Sequence, residues 1–377
     1  MKYKWKLNDN HYSMIDRLKI ASFVLNPNNR WTSGEYVLQF ENVWKEYTGY
    51  NYAIMTSSGS TAVELLALTL KNTTNIKNIV VPTLTWSTSI LPWINLNIKP
   101  IFVDIDLKTL CMDVNDLQQK LKDLSIQDTY IFPTFTMGLR PNFYPLIKTL
   151  WNYPVYSDMC EASFALPEPF THNIRASVTS FYFGHIFTTG TEGGMFFTND
   201  KNEAQYAIQA RNHGMVRDLS KYGFNNGPTG INVHPMYEFA TSGSNWRSND
   251  LSAYMGLLDF KRKNKKQYKR RYLSNIFYNL LSNDYLHYNN PYDTLFALPI
   301  ISKTKNTHEL HNICQSLQIE SRPIISGNLL RHKAFQQYGD YKEFLNTEFV
   351  HQHGIYIGLH EGVTSKQVVK LATILNQ

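Results

Sequence analysis

The sequence predicts an α/β fold: a large domain built on a mostly parallel mixed sheet, followed by a smaller C-terminal α+β domain. Three observations predict it. Short β-rich runs alternate with helical patterns over the first two thirds of the chain, as in a sheet covered by helices on both faces. Those runs are continuous in Val, Ile, Phe and Tyr instead of alternating apolar with polar, which suits strands buried on both faces. The chain has 377 residues and is 43% hydrophobic, ample for a large core and more than one usual domain length.

Each element follows in order. Residues 1–30 are polar with scattered aromatics and read as an N-terminal arm. The large domain spans 31–250. Its strands are NIVVPT (78–83), KPIFVDID (99–106), DTYIFPTF (128–135), YPVYSDM (153–159), VTSFYF (178–183) and GGMFFTN (193–199), bounded by Pro, Gly or Asp. Helical patterns such as STAVELLALTL (60–70) and VNDLQQKLKDL (114–124) lie between them. After about residue 250 one long helix, NDLSAYMGLLDFKRKNKKQYKRRYLSNIFYNLLS, leads into the small domain (251–377). There YDTLFALPII (292–301) and HGIYIGLH (353–360) read as strands. A crevice at the carboxyl ends of the parallel strands is the expected binding site.

Composition excludes several function classes. The formal net charge is +7, and the densest basic run, FKRKNKKQYKRR (260–271), reads as the wet face of a surface helix. No zinc-finger spacing or aromatic RNA-binding signature accompanies it, so no nucleic-acid role is expected. Three scattered cysteines, Cys111, Cys160 and Cys314, argue against a disulfide framework, a metal site or an iron–sulfur cluster. The N-terminus has no apolar core of signal-peptide length, and no run approaches a bilayer span. The expected compartment is the cytosol, with no membrane partner.

Four stretches carry candidate chemistry, and each also has a plainer reading. In TSSGSTAVELLAL (56–68) a Ser/Gly turn opens an amphipathic helix. The unpaired first N–H groups of that helix can hold a phosphate, with Gly59 allowing close approach and Ser58 and Ser60 adding hydroxyls. The plainer reading is a serine N-cap on a core helix. In YSDMCEASFA (156–165) Asp158 ends a strand and points into the crevice, with Glu161 one turn on. A protonated pyridine nitrogen would be one partner for such an acid; a capping aspartate is the alternative. In PTLTWSTS (82–89) Trp86 could stack on a flat ring or simply fill the core. In SFYFGHIFTTGTEGG (180–194) His185 sits where the chain leaves a strand. It is either a proton carrier or a satisfied strand-end histidine.

The order of these stretches, with ARNHGMVRDL, GSNWRSNDLSAYMGLLDFKR and SRPIISGNLLRHKAF further on, resembles the DegT/DnrJ/EryC1/StrS sugar aminotransferase family. The resemblance runs from about WTSGEYVLQFENVWKEYTG (31–49) to the C-terminus. It implies an aspartate-aminotransferase-like fold (pyridoxal-phosphate fold type I), with pyridoxal or pyridoxamine 5'-phosphate as cofactor. In that family the strand ends in Ser-Phe-x-x-x-Lys, and the lysine forms a Schiff base with the cofactor. Here that position is His185. One branch makes this exchange: dehydratases that remove the C3 hydroxyl of nucleotide-linked 4-keto-6-deoxy sugars.

The resemblance therefore implies a 3-dehydratase with His185 as acid and base, GDP-4-keto-6-deoxy-mannose as substrate and glutamate as amino donor. It further implies that Asp158 holds the pyridine nitrogen protonated and that Trp86 stacks on the ring. Ser58, Gly59, Ser60 and Ser180 would cradle the phosphate, and Glu161 would lie near the ring edge. Asn245 matches a position that reaches the phosphate from a neighbouring subunit, which implies a homodimer with shared active sites. His213, Arg217 and Arg322 are candidate sugar-nucleotide contacts, arginine forks suiting a diphosphate. Two departures stand out: Ile186 where a second histidine is usual, and Thr191 lengthening the turn to Glu192. A sugar-nucleotide 4-aminotransferase, another keto-sugar transformation, and a non-catalytic ligand-binding homologue are the alternatives.

Overall fold

The computed structural model describes residues 3–9, 12–142, 152–165, 174–225 and 233–377. Positions 1, 2, 10 and 11 of the expected arm lie outside the described residues. The main sheet has seven strands: β1 (Tyr52–Thr56), β2 (Asn78–Pro82), β3 (Lys99–Val103), β4 (Thr129–Ile131), β5 (Val155–Asp158), β6 (Ile174–Ser180) and β7 (Gly194–Thr198). Their order is β1-β7-β6-β5-β4-β2-β3. The central pairs are parallel, while β7 runs antiparallel to both β6 and β1. Nearly every strand residue is buried, which is why the strands read as unbroken apolar runs. The sequence reading missed β1, a five-residue strand, YAIMT, that leads directly into the Ser/Gly turn.

A second, antiparallel sheet has the order β8-β10-β9, from β8 (Ala297–Ile301), β9 (Ser321–Pro323) and β10 (Gly354–Gly358). It packs in its own apolar cluster with Phe277, Leu310 and Leu371.

The remaining elements position the site. Helix α1 (Met14–Leu25) is capped by Ser13; α2 (Glu35–Thr48) and α3 (Gly59–Thr73) follow. Trp44 on α2 is fully buried between Phe181, at 5.0 Å, and Phe187, at 5.2 Å between ring centroids. These two phenylalanines flank His185 in sequence, so one aromatic cluster fixes both ends of its segment. Each such ring contributes roughly 2–3 kcal/mol by burial.

Within the expected arm lies α1, and residues 3–9 lie on the small sheet, where Trp5 Nε1 donates to the Gly358 carbonyl at 2.8 Å. Two expectations are corrected. The single long helix is two helices, Asp250–Phe260 and Lys263–Leu280. At the break, Arg262 folds back on Asp259 (2.8 Å) and reaches Asp16 (3.1 Å). Nor is the basic run wholly wet, because Lys266 and Arg270 are buried. Among the described residues no helix is long and apolar enough to cross a membrane.

Candidate active site

A cleft of about 660 Å³ opens where β5 and β6 end and α3 begins. The small sheet and arm residues Lys6, Leu7 and Asn8 form its opposite wall. Two glycines permit the close packing at its base. A Cβ on Gly59 would come 2.6 Å from Cβ of Ser180, and one on Gly194 would fall 2.1 Å from the Ser58 carbonyl oxygen. The first turn of α3 therefore lies flat on the β6–β7 corner, and its N–H groups border the cleft.

The phosphate-type candidates divide. Ser58 is the N-cap of α3: its hydroxyl accepts from Thr61 N–H at 3.1 Å, so the plainer reading holds for that side chain. Ser60 shares a hydrogen bond with Thr88 at 2.8 Å, and Ser180 accepts from Tyr182 N–H at 3.3 Å. Both line the cleft.

Asp158 is 2% exposed at the carboxyl end of β5. One oxygen accepts from Cys160 N–H at 3.0 Å, which is the turn cap. The other accepts from Ser89 Oγ at 2.5 Å, a contact the sequence reading missed. Trp86 is 56% exposed on the cleft wall, so the core-tryptophan reading fails and a ring face is available.

Glu161 accepts from Met137 N–H at 2.7 Å. Burial, with the Asp158 carboxylate adding to it, pushes its acid up to about 7 against the pull of that N–H. His185 meets Tyr182 and Phe296 edge-on, at 5.8 and 5.3 Å between ring centroids. Its Nδ1 is buried with no hydrogen-bond partner among the described residues. Burial lowers its pKa to about 4, and Arg270 adds to the shift; the carbonyls of Ser180 and Cys160 oppose it. The imidazole is therefore neutral at pH 7.

Arg322 reaches the cleft from β9, its side chain 62% exposed and 3.7 Å from Glu320. Asn245, His213 and Arg217 do not line this cleft. Asn245 is exposed and accepts from Arg247 Nε at 2.9 Å, while another nitrogen of Arg247 lies 3.4 Å from His213 Nε2. The sequence reading also missed Tyr182, Phe296 and Arg270, which only the tertiary fold brings to the cleft.

Residues 18–376 match the model of the DegT/DnrJ/EryC1/StrS aminotransferase family. The chain belongs to this family. Within it, the chain is 28% identical over 376 residues to the GDP-4-keto-6-deoxy-D-mannose 3-dehydratase of Yersinia pseudotuberculosis, covering 93% of each. It is 29% identical over 355 residues to the enzyme of that name from Escherichia coli O55:H7, covering 88% of this chain and 89% of the relative. Among solved structures, the E. coli 3-dehydratase with bound hydrated pyridoxal phosphate superposes with a TM-score of 0.88 at 24% identity, each chain covered completely. A family aminotransferase from Brucella abortus gives 0.78 at 17% identity, covering 96% and 95%. These likenesses show the aminotransferase fold.

The family's ligand chemistry can be tested on the cleft itself. A flat, anionic ring bearing a basic nitrogen needs a buried acid, a ring face and a ring of N–H donors. Asp158, Trp86 and the Gly59 turn supply these in one cavity, and the missing Cβ of Gly59 leaves the approach open.

Proposed function

We propose that the protein is a pyridoxal-phosphate-dependent 3-dehydratase of a nucleotide-linked 4-keto-6-deoxy sugar, GDP-4-keto-6-deoxy-mannose with glutamate as amino donor. The observation that carries this reading is His185, a neutral imidazole at the position where the family's aminotransferases place a lysine, inside the cleft. An imidazole cannot tether the cofactor as a lysine does, but a neutral one can accept a proton and hand it on. Lys6 is the lysine on the described cleft wall, and it belongs to the arm, whose backbone is held there by His360.

Asp158 would hold the ring nitrogen protonated, Trp86 would cover the ring face, and Gly59, Ser60 and Ser180 would hold the phosphate. Bound there, the cofactor supplies an amine for the sugar's C4 ketone and a ring that accepts the electrons released on proton removal. His185 accepts that proton at its imidazole and returns it to the C3 hydroxyl as that group departs as water. Phe296 and Tyr182 meet its ring edge-on and so orient it. Glu161, close to neutrality, is a second group able to hold a proton at the ring edge. Glutamate is the reductant: its oxidation to 2-oxoglutarate and ammonia balances the loss of one oxygen from the sugar.

Asn245 and His213 stand together outside their own cleft, which supports a role across a subunit boundary. The apolar, exposed Met14, Ile15 and Leu18 on α1 give a second copy a surface to cover. The unit is a homodimer in which Asn245 serves the partner's site. Mixing His185→Asn and Asn245→Ala protomers tests this: about a quarter of wild-type activity should return if sites are shared, and none if they are not.

The test of the reaction uses purified protein with pyridoxal phosphate, glutamate and GDP-4-keto-6-deoxy-mannose. The expected result is released ammonia and a sugar product lighter by one oxygen. An amino-sugar product would overturn the role given to His185. His185→Lys should lose dehydration.

A further inference from the structure

Resting on that functional reading, we propose that Asn8, on the N-terminal arm, is a positioning residue for the proton-transfer step and ties the seating of His185 to the small sheet. Arm residues 4–7 are fastened to that sheet and to the residues leading into β9. The N–H groups of Lys4 and Trp5 donate to the Gln318 carbonyl at 2.9 and 3.2 Å, and Glu320 N–H donates to the Trp5 carbonyl at 2.8 Å. Trp5 is buried, with its Nε1 on the Gly358 carbonyl. Leu7 N–H donates to a carboxylate oxygen of Glu320 at 3.1 Å, and His360 Nε2 lies 3.0 Å from the Lys6 carbonyl oxygen. Gly358 allows this close approach: a Cβ there would fall 2.3 Å from the Lys6 carbonyl oxygen. Asn8, the next residue, meets the segment bearing His185. Its side-chain amide donates to the Gly184 carbonyl at 3.1 Å and to the Leu7 carbonyl at 3.0 Å.

The Gly184 carbonyl belongs to the peptide unit that precedes the Cα of His185. The N–H of the same unit donates to the Tyr182 carbonyl at 2.9 Å. With both polar groups held, that planar unit is fixed against rotation, and it sets the direction in which the imidazole leaves the chain. Gly184 makes the grip possible, because a Cβ there would stand 3.0 Å from the Asn8 amide nitrogen and 2.8 Å from the Tyr182 ring. Beyond His185 the backbone is held from the helix Lys263–Leu280, through Lys266 on the Ile186 carbonyl. The hold after His185 thus comes from that helix, and the hold before it follows the small sheet. Glu320, which takes the Leu7 N–H, also lies 3.7 Å from Arg322 on the cleft wall. A ligand drawn to that wall therefore acts on the carboxylate that steadies the arm, and Asn8 passes the change to His185.

The experiment compares cofactor-loaded wild type with Asn8→Ala and Asn8→Asp. An ionised aspartate keeps the shape but offers only acceptors to the Gly184 carbonyl. Both variants should lower kcat about tenfold, with KM for the sugar nucleotide and for glutamate within about twofold and thermal melting unchanged. Amide exchange read by mass spectrometry should quicken about 5- to 10-fold over residues 182–186, the opening that one lost hydrogen bond permits. Trp5→Phe removes the bond to Gly358 and keeps a ring in place. It should quicken exchange over the same residues and add nothing to Asn8→Ala. Wild-type exchange over residues 182–186 in either Asn8 variant overturns the proposal, as does wild-type kcat. A raised KM with kcat intact would make Asn8 a substrate contact instead, and additive effects of Trp5→Phe and Asn8→Ala would remove the link to the small sheet. Exchange needs no turnover, so it decides this proposal by itself; absence of sugar deoxygenation in the wild type would sink the dehydratase reading alone.

Discussion

Lys266→Met tests how the segment bearing His185 is held. Lys266 Nζ lies 2.6 Å from Asp259 and 2.7 Å from the Ile186 carbonyl, with side-chain exposures of 3% and 0% for the ion pair. Asp259 also accepts the Thr188 N–H at 3.1 Å. One buried ion pair therefore grips the backbone on both sides of Phe187, directly after His185. Removing one member of a buried pair costs about 3–5 kcal/mol, because the other charge is left uncompensated. Arg262 remains on Asp259 at 2.8 Å, so we expect the low end, about 3 kcal/mol. Urea unfolding should report it. Adding Asp259→Asn to Lys266→Met should recover part of the loss, since the stranded charge is gone. The loop should also drift, lowering kcat about 100-fold with a smaller change in KM. A loss under about 1 kcal/mol, as for a surface pair, would refute the argument, as would a double variant no better than the single.

Three further outcomes are expected. His185 and Glu161 pull stability in opposite directions with pH. His185, at about 4 folded against 6.5 unfolded, loses stability as pH falls from 6.5 toward 4; melting curves should show wild type losing ground to His185→Asn there. Glu161, at about 7 against 4.5, loses its contribution as pH rises from 4.5 through 7, so Glu161→Gln should gain on wild type across that window. A Gly59→Ala substitution should cost about 1–3 kcal/mol and weaken cofactor retention in dialysis, because its Cβ would meet Ser180 at 2.6 Å. In Trp86→Ala, by contrast, thermal stability should hold within about 0.5 kcal/mol while the cofactor Kd rises about tenfold by fluorescence titration, since this ring is exposed on the cleft wall and not packed in the core.

The sequence reading succeeded where local rules decide. Strands buried on both faces of a covered sheet are mostly apolar, so β2, β3 and β7 stood out as runs. Helix starts need caps and phosphate turns need glycine, so Ser58, Gly59 and Ser60 were legible, although both uses of Ser58 were open until Thr61 was seen to take its hydroxyl. His185 was legible only against a family pattern, because a histidine at a strand end is unremarkable by itself.

It failed where long-range packing decides. Lys266 and Arg270 looked like solvent-facing charges, since a basic run on a helix carries no mark of which face meets Asp259 or the Phe296 carbonyl. Ser89 gave no signal of its bond to Asp158, 69 residues away. Short spacings and backbone rules marked the alternation of strands and helices, the Ser/Gly turn and the acid at a strand end, while the family pattern marked the histidine beyond it. Only the tertiary structure decided what surrounds the imidazole and which arginine lies deep. Burial and charge depend on distances between segments far apart in sequence, and those distances set the pKa of His185.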